Sequence, residues 1–279
     1  MVVPRAEILK KLYAKAEAGI PIVGGGAGTG ISAKCEEAAG IDLIVIYNTG
    51  RYRMAGRVSI TGLFAYGDAN AIVIEMAGEV LPVVKHTPVL AGVNATDPFR
   101  LMPLFLKQVK EAGFSGVQNF PTVGLFDGKM RLNMEATGLG YDKEVEMIRL
   151  AHKMDLLTTP YAFTEDEAKA MVKAGADLVV VHVGLTTGGT IGASVAMTMD
   201  EAIDTTLRIA EAARKVRKDI LVICHGGPFD DPENVAAALE RMPGINGFYG
   251  ATSMERLPVE RAITEQVRKF TQMKTSPFK

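Results

Sequence analysis

Two histidines carry the clearest potential for chemistry in this chain. His182 and His225 are two of only four histidines, and each ends an apolar run typical of a buried strand. Neutral imidazole exchanges a proton near physiological pH, so it suits general acid and base catalysis. We predict that both lie at the same level of adjacent strands and act in catalysis, whereas His86 and His152 are structural. Glu135, in a glycine-flanked segment, is the third candidate acid or base.

Two short glycine-containing turns are the candidate anchors for an anion. The sequence reads HGGP at residues 225–228 and GATS at residues 250–253, each between an apolar run and a helical pattern. Backbone N–H groups at helix starts bind anions, and the last two loops of a strand–helix barrel frequently hold phosphate. The predicted phosphate-binding residues are Gly226, Gly227, Gly250, Ala251, Thr252 and Ser253.

Further residues that follow predicted strands are candidates for binding the same ligand. Arginine pairs bidentately with carboxylate or phosphate, so Arg51 or Arg53 is expected to contact the ligand. A glycine turn leaves backbone donors open to an anion. The segment GGGAGTG at residues 24–30 completes neither a dinucleotide fingerprint nor a Walker loop, so we expect no nucleotide cofactor. The substrate-binding candidates are Gly25, Gly26, Asn48, Arg51, Asn94, Asn119 and Tyr161.

Mg²⁺ is the cofactor that the sequence leaves open. A hard cation needs only one or two carboxylates besides water and substrate, and Asp97 and Glu135 are the candidate ligands. The zinc motif HExxH and a Cys/His ligand set are absent. No lysine ends a predicted strand, which argues against a Schiff-base aldolase. We expect no organic cofactor.

Eight short apolar runs must position these residues. Most lack alternation, as expected for strands buried on both faces, and amphipathic segments such as 164–176 and 200–218 separate them. Strand–helix alternation predicts a parallel sheet, and eight units favour a closed (β/α)8 TIM barrel of the α/β class over an open doubly wound sheet. The predicted strands are 20–24, 42–47, 88–93, 116–120, 156–161, 177–183, 220–225 and 245–250.

Three long connections follow the second, fourth and sixth predicted strands, at residues 48–68, 121–142 and 184–200. All three fall on the carboxyl-end face of the barrel, where the active sites of this fold form. Long loops on one face are typical of lids. Within the second of them, residues 124–132 are predicted to form a hairpin with Asp-Gly at its turn. No linker divides the chain, so residues 1–279 are expected to form one domain.

The composition of the chain limits the classes of partner that it is expected to bind. A net charge of −1 gives no global attraction to nucleic acid or to an anionic membrane. Cys35 and Cys224 are too few for a disulfide framework, and residues 1–19 lack the apolar block of a signal peptide. No run approaches the ~18 apolar residues of a membrane span. We therefore expect a cytoplasmic protein with a small anionic substrate, and the apolar segments 62–66 and 101–106 predict a homo-oligomer.

Four segments resemble a known family. They are QNFPTVGLFDG at 118–128, GLGYDKEVEMI at 138–148, TTPYAF at 158–163 and AGADLVVVHVGLTTGGTIGA at 174–193. The sequence is similar here to the phosphoenolpyruvate hydrolase-like TIM-barrel family, also called the TIM-barrel signal-transduction family. The resemblance covers almost the whole chain and implies a fold related to the barrels that handle phosphoenolpyruvate and pyruvate. The metal-binding aspartate motif of the phosphoenolpyruvate mutase and isocitrate lyase group is not evident.

Two functions follow as hypotheses. The first is a hydrolase or lyase that acts on a small phosphorylated or carboxylated oxoacid, with phosphoenolpyruvate-like compounds as the leading class. In it, His182, His225 or Glu135 moves the proton, and the long loops exclude water. The second is a non-catalytic ligand-binding barrel with a regulatory role that works through protein interactions. A fold shared by many chemistries does not decide between them.

Overall fold

The structure is a computed structural model that describes residues 2–276. Nine parallel strands form one sheet, in the order β5-β4-β3-β2-β1-β9-β8-β7-β6. The bounds are β1 (Ile22–Gly26), β2 (Leu43–Ile46), β3 (Val89–Val93), β4 (Gly116–Asn119), β5 (Leu157–Thr158), β6 (Tyr161–Ala162), β7 (Leu178–His182), β8 (Leu221–His225) and β9 (Gly247–Gly250).

The two strands at the ends of this order are halves of one strand. Only Thr159 and Pro160 separate β5 from β6, and both continue the ladder. The N–H of Thr159 donates to the carbonyl of Val117 in β4 at 3.1 Å, and the carbonyl of Pro160 accepts from Val180 in β7 at 2.8 Å. The predicted strand 156–161 is interrupted because proline has no N–H to donate. The sheet therefore closes on itself, which confirms the predicted (β/α)8 barrel.

Helices cover the outside of this barrel. Their starts agree with the capping residues in the sequence: Thr164 accepts from the N–H of Glu167, and Asp231 accepts from the N–H of Asn234 with Pro232 as the first helical residue. The bounds are α1 (Arg5–Glu17), α2 (Gly30–Ala38), α3 (Asn48–Met54), α4 (Ala69–Val80), α5 (Met102–Ala112), α6 (Gly128–Ala136), α7 (Asp142–Lys153), α8 (Glu165–Ala174), α9 (Met199–Val216), α10 (Pro232–Arg241) and α11 (Arg256–Thr271).

The core explains why the strands read as unbroken apolar runs. Strands β2, β7 and β8 are buried at every position, since one face meets the helices and the other fills the barrel. Tyr249 of β9 is fully buried in the barrel, where a Cβ on Gly24 of β1 would lie 2.5 Å from its ring. Glycine at that position makes room for the aromatic ring.

The three long connections differ in structure. Residues 48–68 hold α3 and a 3-10 turn, Ser59–Leu63, and residues 121–142 hold the 3-10 turn Val123–Leu125 and α6. The predicted hairpin at 124–132 is therefore wrong. Helix-forming residues follow Asp127, and Arg131 pairs with Glu135 one turn later at 2.7 Å, which supports a helix. Residues 184–198 contain no helix or strand.

Within the described part of the chain, none of the helices is both long enough and apolar enough to cross a membrane.

Candidate active site

A small cavity of about 40 Å³ opens at the carboxyl ends of the barrel strands. Its wall combines aromatic rings, hydroxyl groups, two imidazoles and one guanidinium. The loop after β7 covers one side with Gly184, Leu185 and Thr186. The polar wall is formed by Tyr47, Thr49, Arg53, Ser59, Tyr161, His182, His225 and Thr252.

The structure brings the two predicted histidines together. His182 ends β7 and His225 ends β8, and the parallel register places them opposite one another. Their ring centroids are 4.7 Å apart with an interplanar angle of 68°. Both side chains are buried and line the cavity. Two proton-exchanging groups therefore share one wall of the site.

The backbone fixes opposite tautomers in the two rings. Nδ1 of His225 lies 2.6 Å from the carbonyl oxygen of Tyr249, which can only accept, so Nδ1 carries the proton and Nε2 is left as an acceptor. Nδ1 of His182 accepts the N–H of Gly184 at 3.1 Å, so the neutral ring carries its proton on Nε2. One imidazole can accept a proton through Nε2 while the other donates one.

Both imidazoles are neutral at pH 7. Burial lowers the pKa of His182 well below 6.5, and the neighbouring His225 lowers it further. Burial also lowers the pKa of His225, to about 4, although its hydrogen bond to Tyr249 acts in the opposite direction. The cause in each case is the cost of placing a charge in a poorly solvated site.

Tyr161 and its aromatic neighbours support the imidazole pair. The ring of Tyr161 lies 5.0 Å from the ring of His182 and 5.0 Å from that of His225, measured between centroids. Phe163 packs on the other side of His182 at 4.8 Å. This packing restricts the orientation of both imidazoles. Of the predicted substrate-binding residues, Tyr161 is the one that lines the cavity.

A buried ion pair lies beside the cavity, and its pairing is not visible in the sequence. Nη2 of Arg53 donates to Oε2 of Glu255 at 2.7 Å and to the carbonyl of Gly26 at 3.0 Å, and both charged side chains are fully buried. Burial acts to lower the pKa of Arg53, but the charge of Glu255 outweighs it and the pKa lies above its ordinary value. Arg53 also lines the cavity, and its guanidinium lies 5.8 Å from the centroid of the Tyr47 ring.

The two predicted anion-binding turns differ in what they offer. Ala251 and Thr252 line the cavity, and the N–H groups of residues 251–253 donate no hydrogen bond to the described residues. In the other turn, the N–H of Gly227 already donates to the carbonyl of Gly184 at 3.0 Å. Gly226 has φ +84°, and a Cβ there would lie 2.1 Å from that same carbonyl oxygen. Gly226 and Gly227 therefore shape the loop, whereas residues 251–253 present free donors.

The glycine segment after β1 is not an open anion site. The N–H of Gly28 donates to Oε1 of Glu255 at 2.6 Å, and the N–H of Gly30 donates to Oε1 of Glu79 at 2.7 Å. Carboxylates of the chain itself therefore occupy the donors that the sequence suggested for a ligand. Gly25 and Gly26 lie within β1, where they pair with β2.

Other predicted ligand-binding residues have partners elsewhere. Arg51 pairs with Glu75 at 2.9 Å, away from the cavity. Three amides bond within the fold: Asn48 donates to the carbonyl of Gly62, Asn119 binds the backbone of Tyr161, and Asn94 accepts from Thr96. The structure thus gives these amides structural hydrogen bonds.

The proposed metal ligands do not come together. Glu135 lies on α6 and pairs with Arg131, whereas Asp97 binds Arg100 and, at 2.9 Å, Asn70. In the part of the chain that the structure describes, no group of three or more His, Cys, Asp or Glu side chains could hold a metal ion. The side chains present therefore do not fit a resident Mg²⁺, and the mechanism proposed below uses no metal ion.

The fold and the site define an α/β barrel protein with a small polar cavity at the carboxyl-end face. This chain belongs to the phosphoenolpyruvate hydrolase-like family, whose model matches residues 7–273. The resemblance inferred from the sequence is thereby confirmed.

Two tomato proteins are similar in sequence to this chain. The ToMV resistance protein Tm-1(GCR237) of Solanum lycopersicum is 61% identical over 266 residues, which are 95% of this chain and 35% of that protein. The ToMV susceptible protein tm-1(GCR26) of the same plant matches with the same identity and coverage. The chain therefore spans about a third of the length of these relatives.

Solved structures share the fold at low identity. Phosphoenolpyruvate phosphomutase from Streptomyces platensis subsp. rosaceus superposes with a TM-score of 0.59 at 17% identity, over 95% of this chain and 87% of that one. A phosphonopyruvate hydrolase complex with oxalate and Mg²⁺ gives 0.56 at 14% identity, over 94% and 88%. At these identities the likeness shows the fold alone.

Proposed function

We propose that this chain is a hydrolase or lyase that acts on a small phosphorylated or carboxylated oxoacid, with phosphoenolpyruvate-like compounds as the leading class. The observation that carries this proposal is the imidazole pair, His182 and His225, with opposite tautomers on the wall of one cavity. One ring accepts a proton where the other donates one, as general acid and base catalysis requires. Family membership supports the same reaction class.

In the proposed mechanism the two rings have different roles. Nε2 of His225 takes the proton from the attacking water or from the substrate. The Nε2–H of His182 donates to the oxygen on which negative charge develops. Because burial keeps both imidazoles neutral, each ring enters the reaction in the protonation state that its role needs.

The substrate's anionic group needs further donors on the cavity wall. We assign this role to the N–H groups of residues 251–253 and the hydroxyl of Thr252, with the guanidinium of Arg53 as the charged donor. Glu255 holds Arg53 in place through the buried ion pair, so the guanidinium is oriented before the ligand arrives.

The loop that follows β7 is the proposed cover of the site. Residues 184–186 line the cavity, and beyond them the loop is tied to α11. Arg256 donates to the carbonyl of Gly188 at 3.1 Å, and the hydroxyl of Thr190 donates to Glu260 at 2.7 Å. A loop fixed at this position limits the access of bulk water to the imidazoles.

A panel of small oxoacids and their phosphate esters tests the proposal. We expect turnover of at least one compound, and a fall of about 10²- to 10⁴-fold in both His182→Gln and His225→Gln, the usual contribution of a positioned acid or base. His152→Gln is the matched control, because His152 lies on α7 and contacts Arg5 instead of the cavity. Unchanged turnover in both cavity variants would show that the catalytic assignment is wrong.

A second candidate function is a regulatory barrel that binds an anion without converting it. The tomato relative that is 61% identical carries the name of a ToMV resistance protein, which favours a role in recognition. Binding of oxalate in the cavity, together with no turnover of any compound in the panel, would support this alternative.

We also propose that the chain forms one domain, that copies of it associate, and that it works in a reducing compartment such as the cytoplasm. Phe64, Tyr66, Leu101 and Leu104 are each more than half exposed, which leaves part of each predicted apolar segment open to solvent. Both cysteines are free thiols. Sedimentation of the intact protein, with Leu101→Ser as the variant, tests the association.

A further inference from the structure

The carboxylates that border the barrel mouth are already occupied by donors of the chain itself. Glu255 binds the guanidinium of Arg53 and the N–H of Gly28. Glu144 accepts from the hydroxyl of Thr122 at 2.8 Å and from a backbone N–H at 2.6 Å. Asp97 binds Arg100 and an amide. A divalent cation at the mouth would have to break these contacts to obtain even two carboxylate ligands.

The side chains of the cavity also have no net positive charge to offer an anion. The charge of Arg53 is balanced by Glu255, and both imidazoles are neutral. Burial and the proximity of the two rings disfavour a proton on either of them. An anion placed in the cavity reverses this balance, because an opposite charge within about 4–6 Å stabilises an imidazolium.

We propose that an anion that the site does not convert, such as oxalate, binds together with one proton on Nε2 of His225, the atom that takes the substrate's proton during turnover, in place of a divalent cation such as the Mg²⁺ found with oxalate in phosphonopyruvate hydrolase. The inference rests on the proposed function, since it concerns how the same cavity holds an oxoacid. It also accounts for the absence of a metal-ligand cluster among the described residues.

Hydrogen bonding selects His225 over His182 as the ring that takes the proton. Nδ1 of His225 already donates to the carbonyl of Tyr249 at 2.6 Å, and that bond becomes stronger when the ring is charged. Nδ1 of His182 accepts the N–H of Gly184. A proton on that atom would break the bond and leave two donors facing each other. His182 therefore stays neutral and contributes its Nε2–H.

The other titratable groups around His225 do not compete for this proton. Arg53 of α3 is cationic and opposes protonation, but Glu255 offsets its charge. Tyr161 of β6 and Tyr249 of β9 are buried, and burial holds the pKa of each well above 10, so both remain neutral. Tyr47, between β2 and α3, is neutral for the same reason, since burial raises its pKa. The anion is thus the group that decides whether His225 is charged.

Calorimetric titration of the intact protein with oxalate tests the proposal. Oxalate is fully ionised between pH 6 and pH 8, so its own charge does not change. We expect the same affinity with EDTA as with Mg²⁺, and up to about tenfold tighter binding for each unit of pH decrease, the limit for uptake of one proton. Titrations in buffers of different ionisation enthalpy should give an uptake that approaches one proton per oxalate near pH 7.

A variant and its control locate the proton. His225→Gln should abolish the pH dependence, whereas His152→Gln should keep it. Binding that requires Mg²⁺, or an affinity of the intact protein that does not change with pH, overturns the inference, and neither measurement depends on the variant folding. Failure of oxalate and phosphoenolpyruvate to bind under any of these conditions would instead contradict the proposed function.

Discussion

Glu36 makes the stability of this protein depend on pH in an unusual direction. Its side chain is 8% exposed on α2, beside the buried ion pair, and neither carboxyl oxygen has a hydrogen-bond partner among residues 2–276. Burial raises the pKa of Glu36 to about 8, and the charge of Glu255 adds to the effect while Arg53 opposes it. The folded protein therefore holds Glu36 protonated at pH 7.

The sign and size of the effect follow from linkage. A carboxyl whose folded pKa is raised contributes its stability below the unfolded value of 4.5, and that stability is lost as pH rises from there towards 8. Each pH unit in this window costs up to about 1.4 kcal/mol. From pH 5 to pH 7 the wild type should lose on the order of 2 kcal/mol relative to Glu36→Gln, which cannot ionise.

Urea unfolding of the wild type and Glu36→Gln at pH 5, 6 and 7 measures this difference directly. Glu37→Gln is the control, because Glu37 is the next residue of the same helix and its pKa is lowered instead of raised. Burial favours a higher pKa for Glu37, but the N–H groups of His86, Lys85 and Thr87 outweigh it and hold the pKa near 2. This variant should be less stable than the wild type at pH 7, with the gap closing as pH falls below 4.5. If Glu36→Gln and the wild type kept a constant difference from pH 5 to pH 7, the reasoning about Glu36 would be refuted.

Two further changes test the geometry of the site. Glu255→Gln leaves the guanidinium of Arg53 buried without its counter-charge, so we expect a loss of roughly 3–5 kcal/mol in urea unfolding; a loss below 1 kcal/mol would mean that Arg53 is solvated. Gly226→Ala forces a side chain into a left-handed conformation and against the carbonyl of Gly184, so we expect a loss of at least about 1 kcal/mol and weaker oxalate binding. Gly40→Ala, also at positive φ but with open space around it, separates the backbone effect from the steric one.

The barrel could be predicted from the sequence because a parallel strand that is buried on both faces consists of an unbroken run of apolar residues. Seven of the predicted strands match single strands of the structure, and the eighth, at 156–161, differs only by the interruption at Pro160. The hairpin predicted at 124–132 was wrong because a turn-forming Asp-Gly pair also begins helices. The residues that follow this pair favour a helix, and Arg131 and Glu135 form an ion pair one turn apart within it.

The imidazole pair could be predicted because adjacent strand ends must lie at one level of a parallel barrel. Arg53 and Glu255 could not be paired from the sequence, because 202 residues separate them. Arg51 and Arg53 were equivalent in the sequence, and only the orientation of α3 sends Arg53 inward. The amides of Asn48 and Asn119 were predicted to bind the ligand because a sequence does not show which backbone groups an amide will contact in the fold.

The position of bound oxalate in a crystal of the intact protein at pH 6, without Mg²⁺, tests the central claim most directly. We predict that the anion lies in the cavity, with one oxygen within hydrogen-bond distance of Nε2 of His225 and another on the N–H groups of residues 251–253. Oxalate bound instead at the glycine segment 24–30, or beside Asp97 and Arg100 at the outer edge of the mouth, would contradict it.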